Sequence, residues 1–474
     1  KPLLRLLPTP PHKLQKPQFL LQCILYILYF LQMLSFILHR AAARFKPALQ
    51  SRFKPAFHAH FNPAQLVVVT ALFCLCACLD EPTESSPDFL PMDDSVYPYA
   101  NLPRVVIETE NFAGIRDRET EISSRLQIYG KDAPESEVYE LTVRGRGNSS
   151  FKMPKYGMKL EFKDKVSLFG MPADRDWVLV ANFGDKTHLR NYMMTRLSEW
   201  LGARYTPRCK FVEVYLNRQY VGLYLFFESI KVAKHRVNIP ENDTTFLFEK
   251  ENEKKIDDPY FRTYLDIPFH VKSPKNPSEE SIDLLREHLS DFEYLMIHGG
   301  TYTPGTLEKW VDMDDFLPYY WVQEFSKNED GNFGRSIYMT WQKGGKIHFG
   351  PLWDFDISFG NESYKRNRGC EGWYIRQIRW FRDFFKDSLA LDEVVRYWEE
   401  NRETFRALVD SVPLYRSIIE DAVKNEYRRW PIMSNTENWA LKDPYEDYDE
   451  AIDVMVQWMK DRFDWIETTL KEEK

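Results

Sequence analysis

Four short runs between Arg104 and Asp164, RVVIETE, EISSRLQIYG, YELTVRGRG and YGMKLEFKD, alternate apolar with polar side chains and are broken by Gly, Pro or Asn. A period of two puts one face in a core and the other in water, so these runs read as strands. DWVLVANF adds another strand. THLRNYMMTRLSEWLG has helical spacing that stops at Gly202, and KFVEVYLNRQYVGLYLFFE reads as a hairpin turning at Asn217 and Arg218. Beyond Pro277 the period changes. SEESIDLLREHLSDFEYLMIH and DMDDFLPYYWVQEFSK are helical, and the tail helix puts Ile452, Met455, Met459, Ile466 and Leu470 near one face. Two strand-like pieces, SIYMTWQ and KIHFGPLWDFD, meet at the Gly344-Gly345 turn. The expected fold class is α+β: a sheet-rich first lobe at 101–276, its strands wrapping one helix, and a mostly helical second lobe at 277–474.

The 474 residues exceed one small core, and 43% hydrophobic with 28% charged residues exclude wholesale disorder. Charge is unevenly placed. The segment before Asp80 holds nine of the 63 Lys and Arg and no acid, leaving 54 basic against 71 acidic residues, a net of −17. So acidic a body argues against nonspecific binding to nucleic acid. The N-terminal segment has two apolar runs, Phe19 to Leu38 and LVVVTALFCLCAC ending at Cys78. Leu75-Cys76-Ala77-Cys78 approximates a lipobox, which makes residues 1–78 a lipoprotein leader with Cys78 lipidated; the other reading is a membrane anchor at 19–38. Either places the body outside the cytoplasm. Asp80 and Glu81 after Cys78 fit export to the outer membrane or cell surface, and the acidic, Pro- and Ser-rich stretch 79–100 reads as a flexible tether. Past Cys78 only Cys209 and Cys370 remain, as two packed thiols or one disulfide.

The segment GKIHFGPLWDFDISFGNES puts Asp354 and Asp356 one residue apart among Trp353, Phe355 and Phe359. In an extended segment both carboxylates project one way and Phe355 the other. Carboxylates beside so much aromatic surface are costly to desolvate, and a hard divalent ion with phosphate oxygens is a natural partner. Upstream, SKNEDGNFGRSIYMTW delivers Asp330 from a helix into a Gly/Asn-rich loop. Phosphoryl transfer needs these parts: one carboxylate for the attacking hydroxyl and another for Mg2+ on the nucleotide phosphates. Asp and Asn are also ordinary turn formers, so spacing alone leaves that reading open. Trp353 and Phe355 read as core anchors rather than a base-stacking platform.

These strings resemble the spore coat protein H (CotH) kinase family over most of residues 100 to 474. The matches are RGRGNSSFKMPKYGMKLEF, FGMPADRDWVLVANFGDKTHLRN, VGLYLFFESI, NEDGNFGRSIYM and GPLWDFDISFGN, in that order. The resemblance implies an atypical protein-kinase-like two-lobe fold and transfer of phosphate from ATP, with Mg2+ or Mn2+, to protein serine hydroxyls outside the cytoplasm. It makes Asp330 the catalytic aspartate and Asp354 the metal-holding one, with Asp356 a second candidate ligand. It places Lys159 where a kinase-like lysine contacts phosphates; the plain alternative is an exposed strand lysine. Arg144 and Arg146 flank Gly145 and Gly147, where a bare backbone and guanidinium groups suit phosphate, or form a tight turn. Glu228 pairs with a lysine, touches the nucleotide, or ends a strand buried against backbone. His188 and Arg190 open a helix, whose N-terminus attracts anions unless Arg190 pairs with an acid. Where many family members place asparagine after the catalytic aspartate, this chain has Arg335 and Ser336, leaving Asn332 as the substitute ligand for a second metal.

Three functions follow as expectations. The first is an exported, lipid-anchored protein kinase. The second is a surface binding or adhesion protein that keeps the fold with little or no catalysis. The third is a nucleotide-sugar transferase using the Asp354/Asp356 pair as its metal motif.

Overall fold

The computed structural model describes residues 94–130, 137–251, 259–298, 303–362, 368–436 and 443–473. The leader, the lipidation site at Cys78 and the tether up to residue 93 lie outside these. The described residues all fall within one compact unit.

Strands β1 (Arg104–Thr109), β2 (Ile122–Tyr129), β3 (Val138–Arg146), β4 (Gly157–Val166), β5 (Asp174–Val180), β6 (Cys209–Leu216) and β7 (Gln219–Glu228) close into a barrel in the order β1-β2-β3-β4-β5-β7-β6. All neighbours are antiparallel except β1 and β6, whose parallel pairing closes the ring. The alternation read in the sequence fills its interior: Val143, Met158, Leu160, Phe162, Trp177, Leu179, Val214 and Phe226 are buried in one cluster. The hairpin turns at Asn217 and Arg218, both at positive φ (51° and 66°), as a two-residue turn between twisted strands requires.

Helix α1 (Arg190–Trp200) is not wrapped by these strands, as was expected, because the barrel interior is already full of side chains. Its Met193, Met194 and Leu197 join a second core outside the barrel. There they meet α2 (Glu279–His298), α3 (Thr306–Trp310), α4 (Met313–Ser326), α5 (Arg379–Phe384), α6 (Ser388–Asp410), α7 (Val412–Arg429) and α8 (Tyr448–Glu472). All five apolar tail residues read from the sequence are buried on α8. Asp312, Asp387 and Asp447 cap α4, α6 and α8 by accepting from backbone N–H groups.

A second sheet crosses the boundary expected at residue 276. Strands β8 (Thr245–Lys250), β9 (Tyr260–Arg262), β10 (Pro268–Ser273), β11 (Ile337–Gln342) and β12 (His348–Phe349) run in the order β12-β11-β8-β10-β9. Its β8–β11 pairing, Ile337 opposite Lys250 through Gln342 opposite Thr245, ties the two parts together. The second part is therefore mostly helical with two strands, as expected, but those strands belong to a sheet shared with residues 245–273. Residues 94–100, expected as the end of the tether, pack on the body: Tyr97 stacks on Tyr220 with ring centroids 4.3 Å apart, and the Pro98 carbonyl accepts from Asn425. Among the described residues no helix is long and apolar enough to cross a membrane, and Cys209 and Cys370 are both free.

Candidate active site

A cleft of about 710 Å3 lies between the outer barrel surface at the end of β3, the face of the second sheet, and the loops after α4 and β12. Arg118, Arg144, Arg146 and the Gly147–Ser150 turn form its barrel rim, and Glu249, His270, Lys272 and Tyr338 its sheet wall. Asp330, Arg335, Asp354 and Asp356 line the remaining side. A basic rim thus faces an acidic wall.

The acidic wall is assembled by bends. Asp354 sits at φ +69°, so the chain turns there and its two aspartates reach one cleft without the strand alternation expected for them. The turn is held by the start of α1. Asn191 Oδ1 accepts from the Phe355 N–H at 2.8 Å, and Arg190 donates to the Ser358 and Phe359 carbonyls at 2.8 and 3.3 Å. Arg190 also pairs with Asp185, the reading in which it meets an acid rather than an anion. His188 is fully buried, and burial pushes its imidazole down to about 4. Asn328 Nδ2 donates to the Asp354 carbonyl at 3.1 Å, joining the loop after α4 to the one after β12.

Asp330 leaves α4 in a tight turn in which the Gly334 and Arg335 N–H groups both donate to its carbonyl at 3.1 Å. Gly331 is required there, since a Cβ would lie 2.0 Å from Gln323 Oε1. Burial, then the Asp354 charge, pushes the Asp330 carboxyl up to about 8 against the pull of Arg335, whose Nε lies 3.0 Å from Oδ1. Asp356 is raised well above the usual range by burial and then by Asp354 and Asp330. Like charges crowded out of water are a standing cost that a cation would relieve. The buried Asn332 Oδ1 has no hydrogen-bond partner, an oxygen a cation could satisfy, although Asn332 is not part of the cleft lining. The donor atoms of Asp330, Asp354 and Asp356 are not gathered within 4.8 Å of one another. Asp312, Asp315 and His348 are, but they lie outside the cleft and Arg204 already pairs with Asp315 at 2.9 Å.

On the barrel rim, Arg146 lies over the Trp353 ring at 4.9 Å, and Trp353 packs on Phe227. Trp353 is thus both a core anchor and a cleft wall. Arg144 donates to the Arg118 carbonyl. Gly145 admits no side chain, because a Cβ would stand 2.0 Å from Phe151, and Gly147 turns at φ +104°.

Two expected residues fall outside the cleft lining. Lys159 alternates with the interior residues Met158 and Leu160, so it projects from the outer face of β4, where it pairs with Glu161 at 3.0 Å and Asp176 at 3.5 Å. Glu228 ends β7 buried, accepting from the Arg208 N–H and guanidinium at 2.9 and 2.7 Å. Two lysines do reach the cleft, Lys272 on the sheet wall and Lys155, four residues before Lys159. Lys155 is the one that sequence spacing could not place. It is fully buried, 2.7 Å from Glu426 of α7, and donates to the Leu223 carbonyl at 2.6 Å. Its partner lies 271 residues away, so strand periodicity carried no signal for it.

No curated protein matches the chain. The family model described as CotH kinase protein matches residues 143–466, which include the barrel rim from Arg144 to Ser150, both acidic loops and the helices that hold them. For a kinase-like family a nucleotide and a divalent cation are the expected ligands. Over that span, with its aspartates gathered at one cleft, the chain belongs to the CotH kinase family.

Proposed function

We propose that the chain is an exported, atypical protein kinase with a two-lobe kinase-like arrangement, transferring the γ-phosphate of ATP to serine hydroxyls of a protein partner. The observation that carries this is the polarity of the cleft, with Asp330, Asp354 and Asp356 on one side and Arg118, Arg144 and Arg146 on the other. A triphosphate needs positive groups on its oxygens, and an acceptor hydroxyl needs a carboxylate to hold its proton. Arg144 and Arg146 grip phosphate oxygens, and Gly147 lets the backbone approach them. Asp330 orients the acceptor hydroxyl and takes its proton as oxygen bonds to phosphorus and ADP departs. Without a cation its carboxyl titrates near 8, and Arg335 draws it toward the ionised form a base requires. Asp354 and Asp356 would hold Mg2+ or Mn2+, which neutralises the developing phosphate charge.

Anchoring through Cys78, at the outer membrane or cell surface, with no nucleic-acid partner, belongs to the same proposal. The test is incubation of the purified chain with labelled ATP and Mn2+ or Mg2+, together with calorimetry. Asp330→Ala is expected to lose labelling and keep ATP binding; Asp354→Ala is expected to lose both. Undiminished labelling in Asp330→Ala would remove that residue from its role. No ATP binding in any form would leave a surface-binding protein on this fold, and displacement of ATP by a UDP-sugar would favour a glycosyl transferase.

A further inference from the structure

Resting on the kinase reading, we infer that Arg335 acts as a built-in cation, so that this site takes one divalent ion per bound nucleotide rather than two. Phosphoryl-transfer sites commonly flank the transferred group with two cations a few ångströms apart, one of them beside the catalytic carboxylate. Here a guanidinium occupies that flank, with Arg335 Nε 3.0 Å from Asp330 Oδ1.

Arg335 is placed there by the loop. Besides the two N–H groups that close the turn onto the Asp330 carbonyl, Phe333 at φ +49° is buried against Trp380 and Phe381, with centroids 5.1 and 5.4 Å away. Lys250 donates to the Gly334 carbonyl, and Ser336 at φ +57° turns the chain into β11. With both ends of the turn fixed, the arginine side chain has a short reach and a defined target. It is 36% exposed, at the mouth of the cleft, whereas the Asp330 side chain is 7% exposed.

The local charge agrees. Asp330 already has a cation, Arg335, as its ion-pair partner, which leaves Asp354 and Asp356 for a divalent ion. A second divalent ion at Asp330 would have to displace the guanidinium and leave two positive groups side by side. Asn332, the alternative second ligand, does not line the cleft.

The test counts bound Mn2+ by electron paramagnetic resonance with a saturating non-hydrolysable ATP analogue. The parent chain is expected to bind one ion, and Arg335→Lys also one, because the charge is kept. Arg335→Asn, which opens the flank and offers an oxygen ligand, is expected to bind two, the Mn2+ dependence of analogue binding steepening from first toward second order. Arg335 is a third exposed, so the variants should fold, and unchanged circular-dichroism melts check this. Two ions in the parent chain, or one in a folded Arg335→Asn, would overturn the inference and leave the kinase reading intact. No ion and no analogue in the parent would overturn both.

Discussion

Asp356 and Lys155 are both ionisable groups that line the cleft, yet substitution should separate them. Burial, then the neighbouring Asp354 and Asp330 charges, holds the folded-state pKa of Asp356 well above that of the unfolded chain. A carboxyl raised in this way stabilises the fold at low pH and loses that contribution as pH rises through the folded value. Asparagine mimics the protonated acid. Asp356→Asn should therefore melt like the parent near pH 4 and increasingly above it as pH rises, while losing the rise in Tm that Mn2+ gives the parent. A melt series with and without Mn2+ checks both; a variant less stable at every pH would make Asp356 a structural carboxylate. At this scale the sequence was legible where the chemistry was local. Asp330, Asp354 and Asp356 stand close to turn residues and meet in one cleft, and Trp353 is anchored as its aromatic neighbours implied. Lys159 was misplaced because period-two alternation identifies a face without saying whether a cleft lies against it, and on β4 that outward position holds acidic neighbours instead.

Helices α1 and α7 carry the site in different ways, and each has a distinct failure. Helix α7 docks on the barrel through Glu426, whose two oxygens take Lys155 Nζ and the Leu223 N–H at 2.7 Å each. Gly222, at φ +126°, leaves room for it, since a Cβ would come within 2.3 Å of that carboxylate. Lys155→Met strands the Glu426 charge and should cost about 3–5 kcal/mol in denaturant unfolding, whereas Lys155→Met with Glu426→Gln should recover part of the loss. Equal losses in the single and double variants would show that no ion pair is at stake. Helix α1 acts on the loop instead. Asn191→Ala frees the Phe355 N–H from its acceptor, an expected loss of about 1–3 kcal/mol in stability. Because the freed segment carries both Asp354 and Asp356, Mn2+ affinity measured by calorimetry should fall by about tenfold or more for each 1.4 kcal/mol of lost positioning. Unchanged Mn2+ affinity would mean that the loop holds its shape without α1. Helices α1, α2, α4 and α8 and both hairpins were legible because caps, glycine stops and apolar spacing are local. The pairing of Lys155 with Glu426 was not, because it spans nearly the whole unit.

Across the whole molecule, what escaped sequence reading is closure. Nothing in RVVIETE or KFVEVYL says that β1 and β6 lie parallel, Arg104 opposite Glu213, or that β8 pairs with β11 from beyond the expected boundary. Such partners are chosen by what the full core can bury, not by the strands themselves. Closure also buries titratable groups, and these set how stability varies with pH. Burial raises Glu249 to about 7 and Glu362 and Asp330 to about 8, each opposed by nearby cations. Raised carboxyls stabilise the fold below their unfolded values and lose that contribution as pH climbs through 7 and 8. Two histidines act oppositely at lower pH: burial pushes His188 and His288 down to about 4, so their contribution is complete above about 6.5 and fades toward acid. Lys186 and Lys250, lowered to about 8 by burial, contribute on the alkaline side. Between about pH 6.5 and 8 the carboxyls therefore dominate, and Tm without added metal should fall across that window before levelling. Glu362→Gln tests this away from the acidic wall, because both oxygens of Glu362 are buried without a hydrogen-bond partner and the residue is absent from the cleft lining. That variant should match the parent near pH 4.5 and exceed it increasingly at higher pH, by several degrees at pH 8.5, measured by calorimetric melts at fixed ionic strength. A parent Tm that rises from pH 6.5 to 8, or a variant that is less stable at both ends, would show that Glu362 is ionised and paired in the folded chain.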